Sequence, residues 1–351
     1  MAFNDFATKA LCGLSLLGLC WAGGDAAAQT KERWKLHSSY SLKLPIIGTT
    51  VPKLAQKISD VSGDTLQFRV FEPGALVPAL GYFDPVSNGA LDAAWGNGAF
   101  VIGKVPALVV FATLPFGPRG GEYLAWMKYG GGTQLQDEIH GRYNVKSVTC
   151  ALLAPEASGW FRKEIKNFDD LKGLKMRFAG LGAKVMEKFG VSTQLTAVGD
   201  IYPSLELGTI DATEVGMPLV DEGLGLFQVA KHYYFPGWHQ QATLLDLYMH
   251  KPKYEALSAQ HKAIIDLACE ANITDTFVES EGTQFGAMAR MQAKGVTIHR
   301  WSPEILAAFE TAWNEVATAE AAKDPEFKRA WDSYSSFRKQ YKIWGDSGYL
   351  D

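Results

Sequence analysis

The sequence predicts an α/β fold built as two related lobes with a helical C-terminal third, and three observations carry that reading. Between Phe168 and Gly216, short apolar runs alternate with Gly-bounded helical runs, the order expected of parallel strands joined by crossover helices. A second stretch echoes part of it. Tyr82 … Gly89-Ala90-Leu91-Asp92-Ala93 matches Tyr202 … Gly208-Thr209-Ile210-Asp211-Ala212 about 120 residues later, each where a helix enters a strand. From Lys253 to about Lys294, strand signals give way to long helical runs.

In the first half, Trp34–Ser39 reads as a strand, and Val51, Leu54, Ala55 and Ile58 mark one face of a helix. Leu66–Phe71 alternates as a strand, Tyr82–Asn88 is helical, and Ala93–Trp95 is the next strand. Gly120-Gly121 opens a helix that Gly130 stops, and Val145–Leu153 is a long β run. In the stretch from Phe168, Leu174, Met176 and Phe178 alternate with Lys175 and Arg177, the period of a half-buried strand. Gly180 and Gly182 open a helix and Gly190 closes it. Val191–Val198 and Ile210–Val215 are further strands, with Asp200 as N-cap of the helix between them. Parallel strands leave a ligand crevice outside their C-terminal ends, so Arg177 and Glu214 are placed to face one cleft. Gly223–Lys231 reads as helical, and His232–Phe235 and Leu244–Met249 as strands. Ser302-Pro303 and Asp324-Pro325 start the last two helices.

At 351 residues the chain has room for two cores, and 47% hydrophobic with 21% charged residues is a globular composition. Residues 1–28 read as a secretory signal: Lys9, an apolar run from Ala10 to Ala22, and small residues at Ala26-Ala27-Ala28. The chain is mildly acidic, with a net charge of −4, which excludes the basic field of a nucleic-acid binder. Cys12 and Cys20 leave with the signal. Cys150 and Cys269 remain, in a compartment that permits a disulfide, and are read as two buried thiols.

Catalytic motifs are weak. Gly180-Leu181-Gly182 has the start of a dinucleotide fingerprint, but Val185 stands where the third glycine belongs, so a tight turn explains it better. The seven histidines form no zinc-binding spacing, and His232 and His239 flank an aromatic cluster that reads as packed core or hinge. Gly345-Asp346-Ser347-Gly348 is read as a polar tail.

The segments FEPGALVP, FDPVSNGALDAA, GWFRKEIKNFDDLKGLKMRFAGLGAKV, IYPSLELGTIDATEVG and VAKHYYFPGWHQ resemble solute-binding proteins of tripartite ATP-independent periplasmic (TRAP) transporters. The similarity is greatest to the branch that binds 2-oxo acids, lactate and related monocarboxylates. It implies two α/β lobes with an interlobe cleft, crossing strands and a long connecting helix. The implied division is lobe I over 29–154, lobe II over 155–244, long connecting helices over 245–300 that partly return to lobe I, and C-terminal helices over 301–351 that form a homodimer. It implies that Arg177 pairs with the ligand carboxylate, since the planar guanidinium matches a carboxylate with two hydrogen bonds. It further implies ligand contacts from Glu156, Glu214, Trp238, Tyr40 and Asn97, and a metal ion at Glu156, Glu214 and Val215. Two residues depart from the branch: Glu156 replaces a glutamine and Val215 a tryptophan. The added carboxylate favours Ca²⁺ over Na⁺ as the ion. The implied protein is a periplasmic receptor, not an enzyme, delivering a small organic carboxylate to TRAP membrane subunits. Two other readings stay open: an exported α/β oxidoreductase using the Gly180–Gly182 turn, and a receptor for an ATP-driven transporter.

Overall fold

The computed structural model describes residues 31–349; the leader expected over residues 1–28, with Cys12 and Cys20, lies outside them. The first lobe opens with β1 (Glu32–Ser38), α1 (Thr50–Val61), β2 (Leu66–Phe71), α2 (Phe83–Ser87) and β3 (Ala93–Gly96). β2, β1 and β3 run parallel with β1 in the middle. α1 covers them with Val51, Leu54, Ala55 and Ile58, its one apolar face. Two helices, α3 (Gly120–Tyr129) and α4 (Gly132–Gly141), lead into β4 (Val145–Leu153), and the chain then crosses to a second sheet at β5 (Gly159–Phe161).

There the arrangement repeats. β6 (Lys175–Arg177), α5 (Gly182–Glu187), β7 (Ser192–Gln194), α6 (Ile201–Glu206) and β8 (Ala212–Thr213) again set three parallel strands side by side, β6 in the middle. The sequence echo has one physical role in both lobes. Asp92 Oδ2 accepts the Lys35 amide at 2.7 Å, and Asp211 Oδ2 accepts the Lys175 amide at 3.0 Å. In each lobe this is the amide just before the central strand begins its ladder with the third strand, so the carboxylate satisfies a donor that the sheet leaves over.

α7 (Pro218–Gly223) and β9 (His232–Phe235) follow, and β10 (Thr243–His250) returns to the first sheet, antiparallel between β3 and β4. After α8 (Lys251–Ala256), α9 (Ala259–Gly282) and α10 (Gln284–Ala293), an unexpected strand β11 (Thr297–Arg300) adds to the second sheet beside β9. α11 (Pro303–Lys323) and α12 (Pro325–Gly348) finish the chain, capped by Ser302 and Asp324, whose side chains accept the Ile305 and Phe327 amides. The strand orders are β2-β1-β3-β10-β4 and β11-β9-β5-β8-β6-β7. No helix among the described residues is long and apolar enough to cross a membrane.

Five expectations change. The helix expected over Gly223–Lys231 is replaced by α7, which ends at Gly223, and a 3-10 turn over Leu226–Gln228, because Gly225 between them takes the left-handed conformation that breaks a helix. Cys150 and Cys269 are joined in a disulfide between β4 and α9, because the long helix lies directly along that strand. Asp200 does not cap α6 with its side chain: its backbone is already helical at the end of a 3-10 turn, and a capping residue must be extended to fold back. The strands expected over Val191–Val198 and Ile210–Val215 shorten to β7 and β8, because the residues after them leave the sheet towards the cleft. The C-terminal helices expected to form a homodimer put their apolar residues Ile305, Phe309, Trp313, Phe327 and Tyr334 into this chain's own core with Tyr123, Trp126 and Trp238, and Trp331 packs against it. The exposed apolar residues of α12 are Ile343 and Trp344, 75% and 59% exposed.

Candidate functional site

Arg177 ends β6 and Glu214 follows β8. The parallel register pairs Arg177 with Thr213, so the next residue on β8's path comes beside the guanidinium. Arg177 Nη1 donates to the Glu214 carbonyl at 2.7 Å and to Glu214 Oε1 at 2.9 Å, and Nε donates to Thr196 O at 3.3 Å. The Ala179 amide also donates to Glu214 Oε1. These bonds use Nε and Nη1 and leave Nη2 out. Both side chains are buried, 2% and 1% exposed. Burial works against the Glu214 charge, but Arg177, His239 and the Ala179 amide together hold its pKa below the ordinary carboxylate value.

Glu156 comes from the segment by which the chain crosses from the first sheet to the second. Its amide donates to Gln240 O at 3.1 Å, on the segment that returns. Gly237 is required there, since a Cβ would stand 2.1 Å from Glu156 O. Thr243 Oγ1 donates to Glu156 Oε1 at 3.3 Å, and the Gln240 amide, oriented to donate, reaches both Glu156 oxygens at 2.9 and 3.0 Å. Burial, then the nearby Glu214 and Asp221, push the Glu156 pKa well above the carboxylate range.

His239, one residue before Gln240, completes a buried cluster. Ligand atoms of Glu156, Glu214 and His239 all lie within 4.8 Å of one another, and His239 Nε2 is 3.7 Å from Glu214 Oε2. Glu214 Oε2 and both ring nitrogens of His239 have no hydrogen-bond partner. Buried polar atoms left unpaired cost free energy, and Glu156, its pKa raised by burial and by Glu214, ionises here only beside a compensating positive charge. Both features fit a cation, with oxygen donors from the glutamates and a nitrogen donor from His239. His239, Gln240 and Thr243 were not singled out as site residues in the sequence; the one signal was His239 at the edge of an aromatic cluster.

Around this cluster is a narrow cleft whose enclosed volume is ≈ 30 Å³. Tyr40, Asn97 and Phe100 line it from the first lobe, and Arg177, Glu214 and Val215 from the second. The Tyr40 ring packs on Phe100 at 5.8 Å, and burial raises its phenol well above the usual range, so it remains a neutral O–H. Asn97 uses its side-chain oxygen to accept the Ala99 amide at 2.7 Å. Trp238 stands outside the cleft lining. It packs in the core on Phe309 and Phe116, with ring centroids 4.8 and 5.8 Å away.

The Gly180–Gly182 turn offers no room for a pyrophosphate. A Cβ at Gly180 would touch Ala99 and Val109, and one at Gly182 would strike the Phe178 ring at 2.4 Å. The turn is filled with side chains, which removes the anchor of the dinucleotide reading.

Two lobes of related construction, joined by crossing segments around a buried arginine in the cleft between them, define a solute-binding receptor. The chain belongs to the bacterial extracellular solute-binding protein family 7, whose model matches residues 38–324. The resemblance to TRAP solute-binding proteins therefore holds. A relative in Nostoc sp. (strain PCC 7120), a monocarboxylate 2-oxoacid-binding periplasmic protein, is 33% identical over 314 residues, 89% of this chain and 85% of the relative. A TRAP transporter solute-binding protein from Bordetella bronchiseptica is 32% identical with a TM-score of 0.88, over 90% of this chain and 94% of that one. It is a mixed-occupancy dimer, with copurified calcium and picolinate in one active site and an apo site for comparison. A TRAP periplasmic solute-binding protein from Pseudoalteromonas atlantica, with bound sodium and pyruvate, is 30% identical with a TM-score of 0.86, over 90% and 96%.

Proposed function

We propose that this protein is a periplasmic receptor that closes on a small 2-oxo or 2-hydroxy monocarboxylate, of the size of pyruvate or lactate, together with a metal ion, and presents it to TRAP membrane subunits. The observation that carries the reading is the buried cluster itself: Arg177 as carboxylate partner, with unpaired Glu214 Oε2 and His239 nitrogens beside Glu156. Tyr40 and Asn97 supply contacts from the opposite lobe, so the ligand bridges the two and favours the closed arrangement.

Glu156 and Glu214 hold the ion through carboxylate oxygens and Val215 through its backbone carbonyl, with His239 beside them in the cluster. With an ion beside Glu156 to offset the upward push on its pKa, Glu156, Glu214 and a monocarboxylate ligand carry three negative charges against the single positive charge of Arg177. A divalent ion neutralises the remainder and a monovalent ion does not; at an effective dielectric near 20, unit charges about 4 Å apart interact by roughly 4 kcal/mol. Coordination by carboxylate and carbonyl oxygens suits Ca²⁺, which we favour over Na⁺. The relatives carrying calcium or sodium with a small carboxylate support the reading. The leader read over residues 1–28 supports the periplasm. Native mass spectrometry of protein purified without added ligand tests it. A co-bound metabolite of monocarboxylate mass with one metal ion is expected, and a bound nucleotide or sugar would overturn it.

A further inference from the structure

β4 is the edge strand of the first sheet, so alternate backbone groups point away from β10 with no strand to meet them. The buried face of α9 meets them instead. Asn272 Nδ2 donates to Cys150 O at 2.8 Å, Thr276 Oγ1 accepts the Leu152 amide at 3.2 Å, and Ser280 Oγ accepts the Ala154 amide at 2.9 Å. The periods match. Four helical residues rise about 6 Å, and two strand residues advance about 6.6–6.8 Å, so every turn of α9 meets every second residue of β4. Each hydroxyl is used twice: Thr276 Oγ1 donates to Asn272 O and Ser280 Oγ to Phe277 O, both at 2.8 Å. Asn272 Oδ1 accepts from Thr50 Oγ1 at 2.9 Å. All three side chains are buried. The Cys150–Cys269 disulfide pins one end of this track.

The other end leads into the site. Pro155 follows Ala154 and brings no N–H, so the Ala154 amide is the last one anchored before Glu156. The Glu156 amide is then held from the opposite side by Gln240 O at 3.1 Å. Two residues beyond Ser280, α9 ends at Gly282, and α10 turns away to the second lobe, where Arg290 pairs with Glu222 of α7 at 2.6 Å. We propose that Ser280, at the site end of this ladder, sets where Glu156 stands and is its positioning residue. The proposal rests on Glu156 being a contact for cation and ligand.

Ser280→Ala tests it, with Ser280→Thr as the conservative rescue and Asn272→Ala as the control at the far end of the ladder. Amide hydrogen exchange of the unliganded full chain reads the anchor. Ser280→Ala is expected to raise exchange over residues 152–158 about tenfold, the scale of one lost buried hydrogen bond, with Ser280→Thr near wild type. Titration with pyruvate at fixed Ca²⁺ reads the consequence: about tenfold weaker binding in Ser280→Ala, recovery in Ser280→Thr, and a change of less than about twofold in Asn272→Ala. Unchanged exchange over 152–158, or equal loss of affinity in Ser280→Ala and Asn272→Ala, overturns the proposal, since equal loss means general loosening. If the wild-type chain binds no pyruvate with Ca²⁺, the functional reading fails, and the exchange comparison still decides whether Ser280 holds this strand.

Discussion

Arg177 does two things that one substitution does not separate: it faces the cleft and it neutralises the buried Glu214. Arg177→Ala removes both, leaving a buried carboxylate unpaired, so a stability loss of about 3–5 kcal/mol is expected along with the loss of binding. Arg177→Lys keeps the charge and loses the fork. It is expected to weaken binding by tens- to thousands-fold while losing less stability than Arg177→Ala, as calorimetry and urea unfolding will read. Behind the cleft, Asp221 accepts Trp160 Nε1 at 2.8 Å and the Tyr233 hydroxyl at 2.7 Å, and burial pushes its pKa up to about 7. Between about pH 4 and 7 the unfolded carboxyl is therefore ionised while the folded one keeps its proton, so this group makes stability fall as pH rises, and its effect levels off above about 7. Asp221→Asn is expected to flatten that slope by up to about 1.4 kcal/mol per pH unit, measured by urea unfolding at several pH values. Arg177 and Glu214 were legible in the sequence because strand ends in an alternating pattern point to one crevice, and Glu156 because of the family resemblance. His239 and Gln240 were not, because only the returning crossing segment, with Gly237 pressed on Glu156 O, brings them to the cluster.

Among the elements, the strands with a strong period or a long apolar run fall where the sequence places them: β2, β4 and β9 match residue for residue. The shorter β7 and β8 are set by tertiary context, because their residues beyond the ladder serve the cleft, and β11 has too little alternation to stand out. The disulfide was illegible for a related reason. Cys150 and Cys269 are 119 residues apart, and only the docking of α9 along β4 makes them neighbours. A cross-link closing so long a loop contributes about 5 kcal/mol by loss of unfolded-chain entropy. Replacing both cysteines with serine is expected to lower the thermal midpoint by several degrees or more, read by calorimetry, with the native secondary structure retained.

At the scale of the whole molecule, the C-terminal helices complete the chain's own core, and what they leave outside is the end of α12. We propose that Ile343 and Trp344, the exposed apolar residues of that end, pack against a second copy of this chain. Light scattering at micromolar concentration is expected to give twice the chain mass, and Ile343→Glu with Trp344→Glu to give a monomer; a monomeric wild type would contradict the dimer. The two lobes share one topology, yet only the second places an arginine at the end of its central strand, where the first has His37 and Ser38. The central claim is that a monocarboxylate binds in this cleft together with a divalent ion. Calorimetric titration with pyruvate tests it most directly, on native protein, after exhaustive chelation, and after Ca²⁺ is restored. The account predicts one-to-one binding that is lost on chelation and recovered with Ca²⁺ but not with Na⁺. Binding indifferent to chelation and to Ca²⁺, or no binding under any of the three conditions, would contradict it.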